Sequence, residues 1–155
     1  WDANMHSYFS TDELLSQAKG YKSNLVVITG GEPTMYNLTE LTSKLKHNGF
    51  NTNLETSGAY PLTGQWDWIC FSPKKFKSPL EEYYAQADEL KIIVYNKSDF
   101  KFAEEQASKV NSDCLLLLQP EWNKNESILP EIIEYIKENP KWKMSLQTHK
   151  FLNIP

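Results

Sequence analysis

The residues best suited to chemistry stand in five short clusters, each directly after an apolar, strand-like run: "TGGEP" (29–33), "ETSG" (55–58), "SPK" (72–74), "QPEW" (119–122) and "QTHK" (147–150). In the first, Gly30 and Gly31 can reach positive φ and let a ligand touch the backbone. Glu32 can accept from a ligand ammonium, and Pro33 shapes the turn without needing a donor. Lys74 offers a cation, and Glu55 and Glu121 offer carboxylates. Thr29, Ser72, Gln119 and His149 offer neutral hydrogen-bonding groups. A plain strand-to-helix turn needs one glycine and leaves its acid in water, so the doubled glycine and enclosed acid of "GGEP" point to a ligand.

Such clusters act together only if the chain places them on one side of a common frame. "STDELLSQA" carries a capping-box pattern from Ser10 to Glu13 and reads as a helix. "NLVVITG" reads as a strand covered on both faces. Asn37 and Glu40 form a cap-like pair ahead of a helix with Leu38, Leu41 and Leu45 on one side and Gly49 at its stop. The grammar repeats through the strands "FNTNLETSG", "WDWICFS", "ELKIIV", "CLLLLQP" and "KMSLQTH", with helices "SDFKFAEEQASKV" and "SILPEIIEYIKENP" between the later ones. Residues 74–87 hold no period and read as a loose insertion. Strand–helix alternation of this kind predicts an α/β fold with a mostly parallel sheet, either open or curved as a partial barrel, in a single domain over residues 1–155. In parallel sheets ligands collect at the carboxyl ends of the strands, where all five clusters fall.

Composition narrows the ligand. The chain has 155 residues, 40% of them hydrophobic, and a net charge of −4. That balance gives no footprint for nucleic acid or an anionic membrane surface. All 16 basic residues are lysines, so anions must be met by backbone amides or by point-charge ammonium groups. Cys70 and Cys114 lie far apart in apolar runs, without metal-ligand spacing, and read as small buried hydrophobes. No apolar segment approaches the ~20 residues of a membrane span, and "WDANMHSYF" lacks the pattern of a signal peptide, so a cytoplasmic location is expected.

"TGGEP" resembles the motif with which radical S-adenosylmethionine enzymes bind the methionyl ammonium. Together with "ETSG", "FSPK" (71–74), "LQPEW" (118–122) and the closing "LQTHKFLNIP" (146–155), the chain resembles the 7-carboxy-7-deazaguanine synthases of queuosine and deazapurine biosynthesis over nearly its whole length. The resemblance implies a partial (β/α) barrel, usually as a homodimer. It also implies a reaction in which a reduced four-iron four-sulfur cluster cleaves S-adenosylmethionine. The resulting radical takes hydrogen from 6-carboxy-5,6,7,8-tetrahydropterin, and magnesium-assisted ring contraction with loss of ammonia follows.

Carried over position by position, the resemblance implies pterin contacts at Thr29 and His149, with the terminal carboxylate of Pro155 as a third. It implies cofactor contacts at Gly30, Gly31 and Glu32, at Ser72, Pro73 and Lys74, and at Gln119, Pro120, Glu121 and Trp122. Glu55 is a further expected cofactor contact. His6 and His47 match nothing and read as surface residues. The family's Cys-x3-Cys-x2-Cys loop and its magnesium contact are absent, and the chain starts at Trp1 without an initiator methionine. It therefore reads as the carboxyl-terminal portion of such an enzyme, expected to be inactive alone. Two alternatives share part of the pattern: another radical enzyme, such as a glycyl-radical activase, and a non-catalytic α/β nucleotide-binding or dimerisation module.

Overall fold

Helix α1 (Thr11–Lys19) begins where the capping box places it: the Ser10 side chain accepts from the Glu13 amide, and the Glu13 carboxylate accepts from the Ser10 amide at 2.7 Å. The structure, a computed structural model, describes residues 7–153. After α1 come β1 (Leu25–Ile28), α2 (Thr39–His47), β2 (Asn51–Thr56), β3 (Trp68–Phe71), α3 (Glu82–Gln86) and β4 (Glu89–Val94). The chain continues through α4 (Ser98–Ala107), β5 (Leu115–Pro120), α5 (Asn125–Glu138), β6 (Trp142–Met144) and α6 (Thr148–Leu152). Short 3-10 turns cover Pro33–Met35 and Trp122–Lys124.

The six strands form one parallel sheet in sequential order from β1 to β6. Sequential parallel strands do not reverse direction of winding, so the helices gather on one face, as in a (β/α) barrel, and not on two, as in a doubly wound sheet. Among the described residues the sheet stays open, with β1 and β6 as its edges. This is the α/β parallel architecture that the alternation predicts. β2 and β4 each alternate buried and half-buried residues along their length. Leu54, Phe71, Leu90, Ile92, Val94 and Leu118 point to the helices and are essentially inaccessible, packed with Leu45, Tyr83, Ile132 and Trp142. Each such side chain contributes about 1.5–3 kcal/mol of burial.

The other face of the sheet corrects the expectation that β1 is covered on both faces. On β1, Leu25 and Val27 are 46% and 47% exposed, because no helix layer lies over that face. Two further corrections concern local structure. The segment 74–87 is not wholly irregular: α3 occupies Glu82–Gln86, with Tyr83 and Tyr84 buried against Phe71. The closing strand is only three residues long, and "THKFL" is the helix α6. Neither helix exceeds five residues, too short for a 3.6-residue period to register. At α2, Asn37 accepts from the Thr39 amide at 3.0 Å, whereas Glu40 pairs with Lys44 instead of capping. Gly49 follows that helix at φ 81°.

Candidate functional site

The uncovered face of the sheet and the carboxyl ends of its strands enclose a cavity of about 460 Å³. Thr29, Gly30, Gly31, Glu32, Glu55, Ser72, Lys74, Gln119 and His149 all line it. Five separate strand ends thus deliver polar groups to one place, within the size range of small-molecule sites. Four expected residues do not line it. Pro73 and Pro120 are buried, each next in sequence to a lining residue. Glu121 instead caps the following 3-10 turn by accepting from the Lys124 amide at 3.1 Å. Trp122 packs edge-on against Phe151. Pro155 and His6 lie outside the described residues. His47 sits on the surface of α2, its Nδ1 2.7 Å from the Ser43 carbonyl.

The GGEP turn is built around Glu32. Gly30 adopts φ 125°, which a side chain would resist, while Gly31 does not enter that region. Glu32 is half-buried, and both its oxygens are occupied. Oε1 accepts from Thr34 Oγ1 at 2.7 Å, Thr56 Oγ1 at 2.5 Å and the Thr34 amide at 3.3 Å. Oε2 accepts from the Ser57 amide at 2.8 Å and from the Ser57 hydroxyl. A carboxylate has about four lone-pair sites, so these five donors fill it. Burial pushes its pKa up, but the donors from Ser57, Thr56 and Thr34 outweigh that and hold it below the ordinary glutamate value. Glu32 is therefore a fixed negative charge that ties the end of β1 to the end of β2. Thr56 and Ser57, which the motif reading passed over, are what tie it.

Lys74 has the opposite character. Its ammonium donates to Ser72 Oγ at 3.0 Å and has no carboxylate within ion-pair distance among the described residues. Burial first, and then the neighbouring Lys91, lower its pKa. A half-buried cation that no carboxylate pairs directly is a place where a ligand carboxylate or phosphate gains most. At the far side Ser145 donates to Gln119 Oε1 at 3.1 Å, and β5 and β6 carry Leu117, Ser145 and Gln147 into the lining. Glu89 and Lys91 also reach it from β4. In "ELKIIV", the alternation of Glu89, Lys91 and Ile93 with the core residues Leu90, Ile92 and Val94 is the signal that could have found them.

Among the described residues no three or more Cys, His, Asp or Glu side chains are grouped to hold a metal ion. Cys70 and Cys114 are both buried. Burial pushes the Cys70 thiol far up and that of Cys114 to about 11, so neither presents a thiolate. The described residues do not fit an iron–sulfur cluster. A second groove, of about 610 Å³, runs between α1 and the free edge of β1, but its lining is largely apolar and holds no carboxylate, lysine or histidine. No helix among the described residues is long and apolar enough to cross a membrane.

No family model matches the chain. The 7-carboxy-7-deazaguanine synthase of Flavobacterium psychrophilum is 53% identical over 155 residues, covering 100% of this chain and 73% of that protein. The enzyme of the same name from Synechocystis sp. is 46% identical over 99% of this chain and 74% of its own length. That of Prochlorococcus marinus is 37% identical, over 99% and 80% respectively. The crystal structure of QueE from Escherichia coli superposes with a TM-score of 0.76 at 30% identity, covering 90% of this chain and 64% of that one.

Proposed function

This chain belongs to the 7-carboxy-7-deazaguanine synthase family, and we propose that its cavity holds S-adenosylmethionine and the carboxytetrahydropterin substrate of a radical S-adenosylmethionine enzyme that forms 7-carboxy-7-deazaguanine. The single observation that carries this reading is the convergence of the GGEP turn, Ser72, Lys74, Gln119 and His149 on one cavity.

The residues divide the work by charge. Because Glu32 is saturated by its own neighbours, the ligand ammonium is met by backbone carbonyls of the Gly30–Gly31 turn, with the Glu32 charge behind them as electrostatic support. Lys74 meets the methionyl carboxylate, and its present lack of an anionic partner is what makes that contact favourable. Thr29 and His149 face the pterin side. Bound there, S-adenosylmethionine would supply the hydrogen-abstracting radical once reduced by one electron from the cluster of the whole enzyme. The residues described here bind and orient, and none of them is assigned a covalent or proton-transfer role. The iron–sulfur cluster, magnesium, a homodimeric state and a cytoplasmic location belong to the same proposal and rest on the family alone.

The test is calorimetric titration of the chain with S-adenosylhomocysteine and, separately, with ATP. The reading requires a clear preference for the amino-acid-bearing ligand. Equal or tighter binding of ATP would instead favour a phosphate-binding α/β module.

A further inference from the structure

Lys91 is a lysine in the middle of the sheet with its side chain only 13% exposed. Its neighbours Leu90 and Ile92 are core residues, so Lys91 points to the opposite face, into the cavity. Its Nζ donates to Glu55 Oε2 at 2.8 Å. The two residues stand on β4 and β2, which are not adjacent: β3 runs between them. The register explains how the contact is possible. Glu55 is paired with Cys70 and Cys70 with Glu89, so the strand that Lys91 must cross presents a small side chain at the crossing, and the lysine ammonium lies beside that thiol. Burial works against the Lys91 charge, but Cys70 and Glu55 beside it more than compensate, and its pKa is raised.

A mostly buried ion pair is a poor way to stabilise a fold, since desolvating two charges offsets most of their attraction. What the pair does is local. Glu55 is 44% exposed, and among the described residues its Oε1 has no hydrogen-bond partner, while Oε2 is held. We propose that Lys91 is a positioning residue: it fixes one oxygen of Glu55 so that the other is presented to the cavity ligand, and it influences binding only through Glu55. The proposal rests on the reading of the cavity given above, in which Glu55 contacts a ligand.

The experiment is a double-mutant cycle read by calorimetric titration of S-adenosylhomocysteine and, separately, 6-carboxypterin. It uses the wild-type chain, Lys91→Met, Lys91→Arg, Glu55→Gln and the Lys91→Met/Glu55→Gln pair. For at least one ligand, Lys91→Met should weaken binding by roughly tenfold, as for loss of one charged hydrogen-bond acceptor's placement. Lys91→Arg should return affinity to within about threefold of wild type, because it restores the charge and donor. The paired variant should bind no more weakly than Glu55→Gln alone. Thermal melts accompany each titration, and Lys91→Gln replaces Lys91→Met if the latter does not melt cooperatively. Additive losses, wild-type affinity in Lys91→Met, or failure of arginine to rescue would each overturn the proposal. So would intact binding of both ligands by Glu55→Gln, which leaves Lys91 nothing to position while the cavity reading survives. If the wild-type chain binds neither ligand, the cavity reading fails first and the proposal with it.

Discussion

Replacing Glu32 by glutamine keeps the shape of the GGEP turn but removes the charge around which it is assembled. The glutamine amide has one acceptor oxygen and one NH2 group, so it cannot serve donors on both sides. Its better orientation turns the oxygen toward the Ser57 amide, now 2.8 Å from Oε2, and the NH2 toward Thr34 and Thr56, whose hydroxyls can rotate to accept. The Thr34 amide, already at 3.3 Å, then loses its acceptor. The remaining bonds become neutral, each losing about 1 kcal/mol of charge assistance. Over two or three good bonds in a half-buried site the loss is ~2–3 kcal/mol, or a melting temperature lower by about 5–10 °C for a chain of this size. The pH dependence gives a second signature. Since the folded pKa of Glu32 is depressed, the unfolded chain binds its proton first. The stabilisation is complete above the unfolded value of ~4.3 and is lost as pH falls through the folded value. Urea denaturation at pH 7 and at steps down to pH 3 should show a gap between wild type and variant that is full at neutral pH and closes in acid. A variant within ~0.5 kcal/mol of wild type at pH 7, or a gap that persists unchanged in acid, would refute the account of Glu32 as the centre of the turn.

Two other substitutions separate stability from binding. Gly58 holds φ 74°, and a Cβ there would stand 2.7 Å from Phe71 Cε2 and 3.1 Å from the Tyr83 ring. Gly58→Ala should therefore cost ~2–4 kcal/mol through backbone strain and overpacking, and a urea midpoint close to wild type would contradict the packing described. Lys74→Met removes a half-buried cation that has no carboxylate partner among the described residues. Its melting temperature should stay level or rise while S-adenosylhomocysteine affinity falls ~10–100-fold. A ligand lacking the amino-acid carboxylate should be indifferent to the change, and a variant that melts lower yet binds normally would remove Lys74 from the site.

How much of this was legible beforehand follows from the range over which each feature is decided. The capping box at Ser10 and Glu13, the apolar strand runs and the glycine after α2 depend on neighbours within a few residues, and the α/β parallel architecture follows from their alternation. The clustering of Thr29, Glu32, Glu55, Ser72, Lys74, Gln119 and His149 at strand ends was visible for the same reason, since parallel strands in sequential order bring every carboxyl end to one side. What residues do there was decided by contacts between strands. Glu32 looked like a free acceptor until Thr34, Thr56 and Ser57 were seen to fill it. Glu121 and Trp122 sit in a matching motif, yet a 3-10 turn carries them off the cavity. Lys91 gave no motif signal, because its partner Glu55 lies 36 residues away and the crossing depends on Cys70 being small. Which face of the sheet the helices cover is likewise a property of the assembled strands, and it turns "ELKIIV" from an apolar run with two stray charges into a strand with a core side and a ligand side.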